Sequence, residues 1–286
     1  MAEELLYHYT SGEGFIGIIN SGKLWATDAL YLNDARELQF GRDELYEALL
    51  ASANEFDPGD AEPLSDEQDQ SLARATVLRS AADELRKASG PFLSGTYADY
   101  AVYVSCFCYG EADLLSQWRG YGSAGGFALG FNAGKLAGTT FPDESARVSL
   151  AGVNYGEAAI ADIIDWALTV AMPQVPLGFP GANGAVVGGR LLLTALAALK
   201  DVGFAEEREW RLIVPANPKS DLVRFRSGTI TPTPHIELEF DPRALREVVV
   251  GPGPHQELRM ASASRLVGSH GMLWVKVVPS KLPFRG

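Results

Sequence analysis

Hydrophobic and polar positions alternate near the start of the chain in a way that predicts two short strands joined by a helix. Residues 5–10, Leu-Leu-Tyr-His-Tyr-Thr, predict the first strand, and residues 24–27 predict the second. Residues 12–20 between them predict a helix. Ser11 is placed to cap this helix and Gly22 to end it, because a hydroxyl accepts hydrogen bonds at a helix start and glycine tolerates the left-handed conformation at its end.

The rest of the chain predicts further strands and helices with long or irregular connections. Strands are predicted over residues 100–109, 126–131, 207–214, 235–240, 247–250 and 273–278. Helices are predicted from Asn33 and Asp34 through Leu49, and over residues 65–87, 158–170, 186–200 and 255–267, whereas residues 114–122 predict a compact turn. Such connections favour an α+β fold, with a mixed, largely antiparallel central sheet and flanking helices, over a doubly wound parallel sheet.

The chain shows no linker that would divide it, so residues 1–286 are predicted to form a single domain. Residues 55–64 are rich in Asp, Pro and Gly and predict a loop, and the polar helix that follows extends this segment to about residue 95. We interpret residues 55–95 as a helical insertion or lid.

Composition narrows the class of protein. Hydrophobic residues make up 47% of the chain and charged residues 21%, which is typical of a globular protein. Neither a run of 18 uncharged apolar residues nor a basic amino-terminal leader is visible, so we expect a cytoplasmic protein without a membrane segment. The net charge of −12 disfavours a broad phosphate-binding surface, but it leaves open a local basic pocket or a nucleic acid bound as a substrate.

The cysteines and histidines do not predict a metal site. Cys106 and Cys108 lie in a predicted strand with both side chains on one face, and we interpret them as buried thiols in a reducing compartment. The four histidines are scattered without the spacing of metal ligands.

The segment Glu-Arg-Glu-Trp-Arg-Leu-Ile-Val at residues 207–214 carries the most informative charges. In a strand, Glu207, Glu209 and Arg211 share one face, while Trp210, Leu212 and Val214 share the other. Charged side chains beside a buried face need partners or a solvated cleft, so we interpret this segment as the wall of a pocket. The alternative is an exposed polar face with cross-strand ion pairs.

Other candidate site residues lie in three further segments. Trp118, Arg119 and Tyr121 offer stacking surfaces and hydrogen-bond donors suited to a planar, anionic ligand, although Trp118 alone is equally consistent with a plug in the core. His8 is either a site residue or a core histidine, and Arg285 is either an anion-binding group or a solubilising terminus.

Taken together, these segments resemble the bacterial family catalogued as domain of unknown function 2971. The matching motifs are His-Tyr-Thr, Ser-Gly-Lys-Leu-Trp, Leu-Asn-Asp-x-x-Glu, Ser-x-Phe, Ser-Gln-Trp-x-x-Tyr-Gly, Glu-x-Glu-Trp-Arg, Gly-Pro and Ser-x-x-Pro-aromatic-Arg. They stand at residues 8–10, 21–25, 32–37, 105–107, 116–122, 207–211, 251–252 and 280–285. This resemblance brings no activity with it.

A more distant resemblance links the chain to ADP-ribosyltransferases of the His-Tyr-Glu type. It rests on His-x-Thr at residues 8–10, Ile-Ile-x-Ser-Gly-x-Leu at residues 18–24, and a late strand that begins with Glu. The resemblance implies an ADP-ribosyltransferase-like fold with NAD as the substrate. In it, His8 orients NAD, Glu209 is the catalytic Glu, Glu207 positions the acceptor, and the ring that stacks on nicotinamide belongs to Tyr31 or Tyr121.

The remaining contacts to NAD are assigned on the same resemblance. Tyr9 and Thr10 accompany His8, Trp118 and Tyr121 offer ring faces, and Arg119, Arg211 or Arg285 would neutralise the pyrophosphate. No Gly-x-Gly-x-x-Gly motif follows a strand, so a Rossmann-type NAD site is not predicted.

The function implied is transfer of ADP-ribose to an unknown protein or nucleic acid, or simple hydrolysis of NAD. Bacterial enzymes of this type serve as toxins, phage-defence effectors or RNA-modifying enzymes. Three alternatives remain open: a non-catalytic nucleotide-sensing module, a nuclease or phosphotransferase in which Glu207 and Glu209 bind Mg²⁺, and an interaction scaffold.

Overall fold

The computed structural model describes residues 4–32, 35–57, 65–87, 101–110, 112–121, 125–143, 146–166, 169, 194–228 and 231–283. The strands are β1 (Leu5–Thr10), β2 (Lys23–Asp28), β3 (Ala101–Tyr109), β4 (Phe127–Asn132), β5 (Ser149–Gly152), β6 (Asn154–Tyr155), β7 (Leu199–Lys200), β8 (Glu209–Ala216), β9 (Arg224–Arg226), β10 (Thr233–Glu239), β11 (Leu245–Val250) and β12 (Lys276–Pro279). The α-helices are α1 (Gly12–Ser21), α2 (Ala35–Glu55), α3 (Asp66–Lys87), α4 (Leu115–Tyr121), α5 (Ala133–Leu136), α6 (Glu157–Trp166) and α7 (Gln256–Ser269). Short 3-10 helices lie at Ala29–Tyr31, Val202–Glu207 and Pro242–Ala244.

Ten of these strands form one large sheet. Its order is β12-β11-β4-β1-β3-β2-β10-β9, and β3 also pairs with β8, which in turn pairs with β5. Every pairing in this sheet is antiparallel except that of β11 with β12, and β6 and β7 form a separate parallel pair. The predicted α+β architecture with a largely antiparallel sheet is therefore confirmed.

The sheet is split where β1 and β2 both meet β3. Tyr7 lies opposite Cys108 and Thr27 lies opposite Val104, while β8 pairs along the other edge of β3 from Ala101 to Cys108. No strand of the described chain is paired with residues 105–107 on the edge that β1 and β2 share.

The two faces of the sheet differ in what covers them. The core face packs against α1 and α7 and carries the main hydrophobic core, whose members include Leu6, Phe15, Ile19, Leu24, Tyr103, Phe107, Phe131, Leu212 and Val267. We call the other side the polar face, because it carries Cys106, Cys108, Glu209 and Arg211. Register decides this assignment: Arg211 lies opposite Cys106 and Glu209 opposite Cys108, and cross-strand partners share a face.

The segment predicted as a helical insertion contributes to a second hydrophobic core. Ser65 and Gln68 form reciprocal backbone hydrogen bonds at the start of α3, which fixes the helix entry. Leu78 and Ala82 of α3 then pack among buried residues of α2, α6 and β7, which include Leu45, Leu49, Ile160 and Leu199. Residues 58–64 and 88–95 of the segment lie outside the described residues.

Several sequence predictions for local structure are wrong. Residues 115–121 form a helix rather than a turn, and residues 199–200 of the predicted helix 186–200 form β7. Glu207 does not lie in the strand, because it ends a 3-10 helix and Arg208 turns the chain with a left-handed φ of 44° before β8 begins. Residues 33–34 and 186–193 lie outside the described residues.

No helix in the described part of the chain is both long enough and apolar enough to cross a membrane.

Candidate functional site

Four charged side chains meet at the start of β8. The Lys200 ammonium lies 2.8 Å from a carboxylate oxygen of Glu207 and 3.1 Å from one of Glu209. Arg211 holds Glu209 with two hydrogen bonds, from Nε at 2.7 Å and from Nη2 at 3.1 Å, and its Nη1 donates to the Ala197 carbonyl at 2.8 Å. We call Lys200, Glu207, Glu209 and Arg211 the charged cluster.

Local structure explains why these side chains meet. Glu209 and Arg211 are two residues apart in a strand and therefore lie on the same face, as the sequence predicts. Lys200 arrives from β7, and the turn at Arg208 brings Glu207 back towards it. The backbone N–H of Glu209 donates to the Tyr155 hydroxyl at 2.9 Å, which ties β6 to the same place.

The charged cluster is buried but electrically balanced. Lys200, Glu209 and Arg211 are nearly inaccessible, whereas the Glu207 side chain keeps 20% of its surface exposed. Burial by itself raises the pKa of the Glu209 carboxyl, but the charges of Arg211 and Lys200 and the Arg211 hydrogen bonds outweigh burial and hold that pKa below its usual value. Glu209 is therefore an ionised carboxylate at neutral pH.

The two cysteines lie beside the charged cluster on the polar face as free thiols. Burial raises the pKa of the Cys106 thiol well above its usual value, and the neighbouring charge of Glu209 raises it further. The same two causes raise the pKa of Cys108 to about 12. Both thiols are therefore protonated at neutral pH, which makes them poor nucleophiles and poor metal ligands.

His8 lies on the core face of the sheet, whereas Glu209 lies on the polar face. Its ring contacts that of Phe107 with centroids 5.5 Å apart, and its Nδ1 donates to the Cys106 carbonyl at 2.9 Å. This carbonyl belongs to the stretch of β3 that lacks a strand partner on that edge, so His8 supplies the missing hydrogen bond. Burial lowers the pKa of the His8 imidazole despite this hydrogen bond. The structure therefore does not bring His8 together with Glu209.

Thr10 also lies on the core face, where it meets the first turn of α1. A Cβ built on Gly14 would lie 2.0 Å from the Thr10 hydroxyl oxygen, so the absence of a side chain at residue 14 leaves the space that this hydroxyl occupies.

Tyr9 and Trp118 share the polar face and form a small hydrophobic cluster with Cys108. Their rings meet edge to face with centroids 4.8 Å apart, and Trp118 Nε1 donates to Asp113 at 3.1 Å. A Cβ built on Gly251 would lie 2.6 Å from the Trp118 ring. Because Trp118 is buried among these residues, it acts as a plug in the core and offers no open ring face to a ligand.

The remaining candidate residues are exposed or not described. Arg119 and Tyr121 lie on the exposed side of α4, and Tyr31 is exposed at the end of the 3-10 helix that follows β2. Arg285 lies outside the described residues. In the described chain, no group of three or more His, Cys, Asp or Glu side chains is arranged to hold a metal ion.

Sequence reasoning did not find Lys200, Tyr155 or Asp113. Lys200 follows an apolar run that suggests a helix, and only the pairing of β7 with β6 turns it towards Glu209. Asp113 accepts hydrogen bonds from Trp118 and from the Lys281 backbone, which are distant in sequence. A lysine or aspartate beside a hydrophobic segment is too common a pattern to indicate such contacts.

Asp28, at the end of β2, gives a pH-dependent prediction. Burial raises the pKa of its carboxyl to about 6, although the Leu30 N–H that it accepts at 3.0 Å lowers it. Because the folded-state value exceeds the value of about 3.9 in an unfolded chain, the stabilisation is complete below about pH 4 and is lost as pH rises through about 6. Asp28→Asn keeps an acceptor oxygen but does not titrate. Urea unfolding across this window should show wild type losing about 3 kcal/mol relative to the variant, and parallel curves would contradict the assignment.

Comparison with known protein families gives one match. Residues 117–212 match the model of a family described as a protein of unknown function, DUF2971. The match supports the resemblance to this family over about a third of the chain, from α4 to β8. It includes every member of the charged cluster. No curated protein and no solved structure matches the chain.

Proposed function

We propose that this protein binds NAD and cleaves its nicotinamide–ribose bond, as an ADP-ribosyltransferase-like enzyme that passes ADP-ribose to a protein or nucleic-acid acceptor. The observation that supports the proposal is the convergence of Glu207 and Glu209 on one ammonium, with Lys200 Nζ 2.8 Å and 3.1 Å from their oxygens. A pair of neighbouring carboxylates is what the resemblance to these enzymes implies at this position.

The contacts of the two carboxylates suggest different roles for them. Both oxygens of Glu209 are engaged by Arg211, one of them also by Lys200, and its side chain is only 5% exposed. Among the residues that the structure describes, Glu207 forms one ion pair, and its side chain is 20% exposed. We therefore assign Glu207 as the catalytic residue that faces the reacting ribose, and Glu209 as a positioning residue that fixes Lys200 and Arg211.

The chemistry requires a negative charge beside the ribose. When the nicotinamide–ribose bond breaks, its electron pair leaves with nicotinamide and positive charge develops on the ribose. A carboxylate next to that carbon stabilises the charge and binds the 2′-hydroxyl. Bond formation to an acceptor hydroxyl, amine or water, with loss of its proton, then completes the transfer. Arg119 and Tyr121 lie on the exposed side of α4, and we assign them to the pyrophosphate and the nicotinamide ring.

The charged cluster favours this chemistry over a Mg²⁺-dependent nuclease. Mg²⁺ is held by carboxylates together with other oxygen ligands. Here Lys200 and Arg211 already provide the positive charge for Glu207 and Glu209, so a divalent cation would meet two buried cations at the same place.

The decisive experiment compares Glu207→Gln with wild type in an assay of nicotinamide release from NAD. Purified protein is incubated with cell extract as a source of acceptors, with and without EDTA. We expect release by wild type in both conditions and a loss of tenfold or more in Glu207→Gln, because the amide cannot stabilise the positive charge. Glu206→Gln is the matched control, since Glu206 is exposed on the same 3-10 helix and lies outside the charged cluster.

Two other outcomes would contradict NAD cleavage, and a third would contradict the role assigned to Glu207. Saturable NAD binding without nicotinamide release would indicate a nucleotide-sensing module. Activity on nucleic acid that requires a divalent cation would indicate a nuclease or phosphotransferase. Equal release by wild type and Glu207→Gln would remove Glu207 from the reaction.

A further inference from the structure

A surface with cationic and aromatic side chains lies on β2, β10 and β9, at the β9 edge of the sheet. Trp25 is 43% exposed, and its ring lies against that of the buried His235 with centroids 4.6 Å apart. Arg224 lies opposite His235 in the strand pairing, and Arg226 lies opposite Thr233. We call Trp25, His235, Arg224 and Arg226 the platform.

Strand pairing places the whole platform on one side of the sheet. Thr27 lies opposite His235, and Thr27 and Trp25 are two residues apart in β2, so they share a face with His235. Arg224 and Arg226 share this face through their own partners in β10. The Arg226 guanidinium reaches over β10 to donate to the Thr27 hydroxyl at 3.2 Å, which holds it on the face of β2 that carries Trp25.

The two arginines carry positive charge that the described residues do not neutralise. Arg224 donates to the carbonyls of Asp221 and Val223, and Arg226 donates to a hydroxyl. Within the described ranges, neither guanidinium forms an ion pair with a carboxylate. Nearby, Lys23 Nζ lies 2.9 Å from a carboxylate oxygen of Glu237, so this ion pair adds no net charge to the surface. A chain with net charge −12 thus presents local positive charge beside an exposed indole.

We propose that the platform binds a short segment of single-stranded nucleic acid, with an unpaired base stacked on Trp25 and the adjoining phosphates held by Arg224 and Arg226. Every base has a flat ring face that stacks on an aromatic side chain, and guanidinium groups pair with phosphate oxygens. His235 beneath Trp25 holds the indole in place, so little conformational freedom is lost on stacking.

The occupant is single-stranded rather than double-stranded because a duplex buries its base faces. The acidic remainder of the chain also disfavours a long polyanion, which limits the site to a few nucleotides. An acidic peptide would form ion pairs with the two arginines but would have no base to stack on the Trp25 ring. The inference does not depend on NAD cleavage, although a nucleic acid held here would be a natural acceptor for it.

The test measures fluorescence anisotropy of a labelled single-stranded 12-mer with wild type and three variants over a range of salt concentrations. Trp25→Ala should weaken binding by roughly 5- to 150-fold, which corresponds to the loss of one stacked base. Trp25→Phe keeps a ring and should retain most of the affinity. In Arg224→Gln/Arg226→Gln, the slope of log affinity against log salt should fall by about 1.4, because each phosphate contact on a single strand contributes about 0.7.

Arg265→Gln is the matched control, since Arg265 is an exposed arginine on α7, which packs against the core face. All four positions are at the surface, so thermal unfolding should show the variants folded. An unchanged affinity in Trp25→Ala would overturn the proposal. So would displacement of the 12-mer by polyglutamate or by duplex as effectively as by unlabelled single strand.

Discussion

Replacing Glu209 by Gln is expected to lower the free energy of unfolding by about 3–5 kcal/mol, the usual cost of removing one partner from a buried ion pair. Arg211 and Lys200 would keep their charges in a buried site without the carboxylate that now lies between them. Urea unfolding at neutral pH measures the effect. Glu206→Gln, at an exposed position on the adjoining 3-10 helix, should change stability by less than about 0.5 kcal/mol.

Two further comparisons test whether this loss comes from the ion pair. The double variant Glu209→Gln/Arg211→Gln should be less destabilised than the sum of its single variants, because the second change removes a charge that the first left unbalanced. Since the folded-state pKa of Glu209 is depressed, its stabilisation is present above about pH 4.3 and is lost as pH falls, so acidification should narrow the gap between wild type and Glu209→Gln. A cost below about 1 kcal/mol at neutral pH would mean that the pair is not the buried contact described above.

Trp118→Ala is expected to cost about 3–5 kcal/mol as well, for a different reason. The change removes a large buried ring and leaves a cavity beside Tyr9 and Gly251, which the surrounding strands cannot fill. It also removes the indole N–H that Asp113 accepts. Thermal and urea unfolding measure the loss.

Trp118→Phe separates packing from hydrogen bonding at this position. Phe retains most of the ring volume, so its cost should be about 1–3 kcal/mol, mainly from a partly buried Asp113 that has lost one donor. If Trp118 were instead a stacking surface for a ligand, Trp118→Ala would leave stability nearly unchanged and weaken ligand binding. That result would mean that Trp118 is a ligand-binding residue rather than a buried part of the core.

Much of the fold follows from the pattern of the sequence because short-range signals decide it. Ser11 accepts the Gly14 N–H at the start of α1, and Gly22 ends the helix with a φ of 66°, as predicted. Two predicted strands are also confirmed, β3 from its long apolar run and β10 from its alternating polar and apolar residues. β9 was not predicted, because Arg-Phe-Arg at an exposed edge has no buried face to produce a pattern.

The candidate site was predictable only in part because strand alternation is local, whereas pairing is not. Alternation placed Glu209 and Arg211 on one face, and the structure agrees. It could not show that the two residues bind each other, or that Lys200 joins them from another strand. The position of His8 on the opposite face depends on the register of β1 with β3, which no single segment contains.

The Asp113 carboxylate joins parts of the chain that are made at very different times. It accepts hydrogen bonds from the Trp118 indole, the Ser280 hydroxyl and the Lys281 backbone, so its contacts are incomplete until the last strand has been synthesised. One edge of β2 likewise stays unpaired until β10 has been synthesised, since Thr27 pairs with His235. A chain emerging from the ribosome therefore holds exposed strand edges until β10 and β12 have been synthesised.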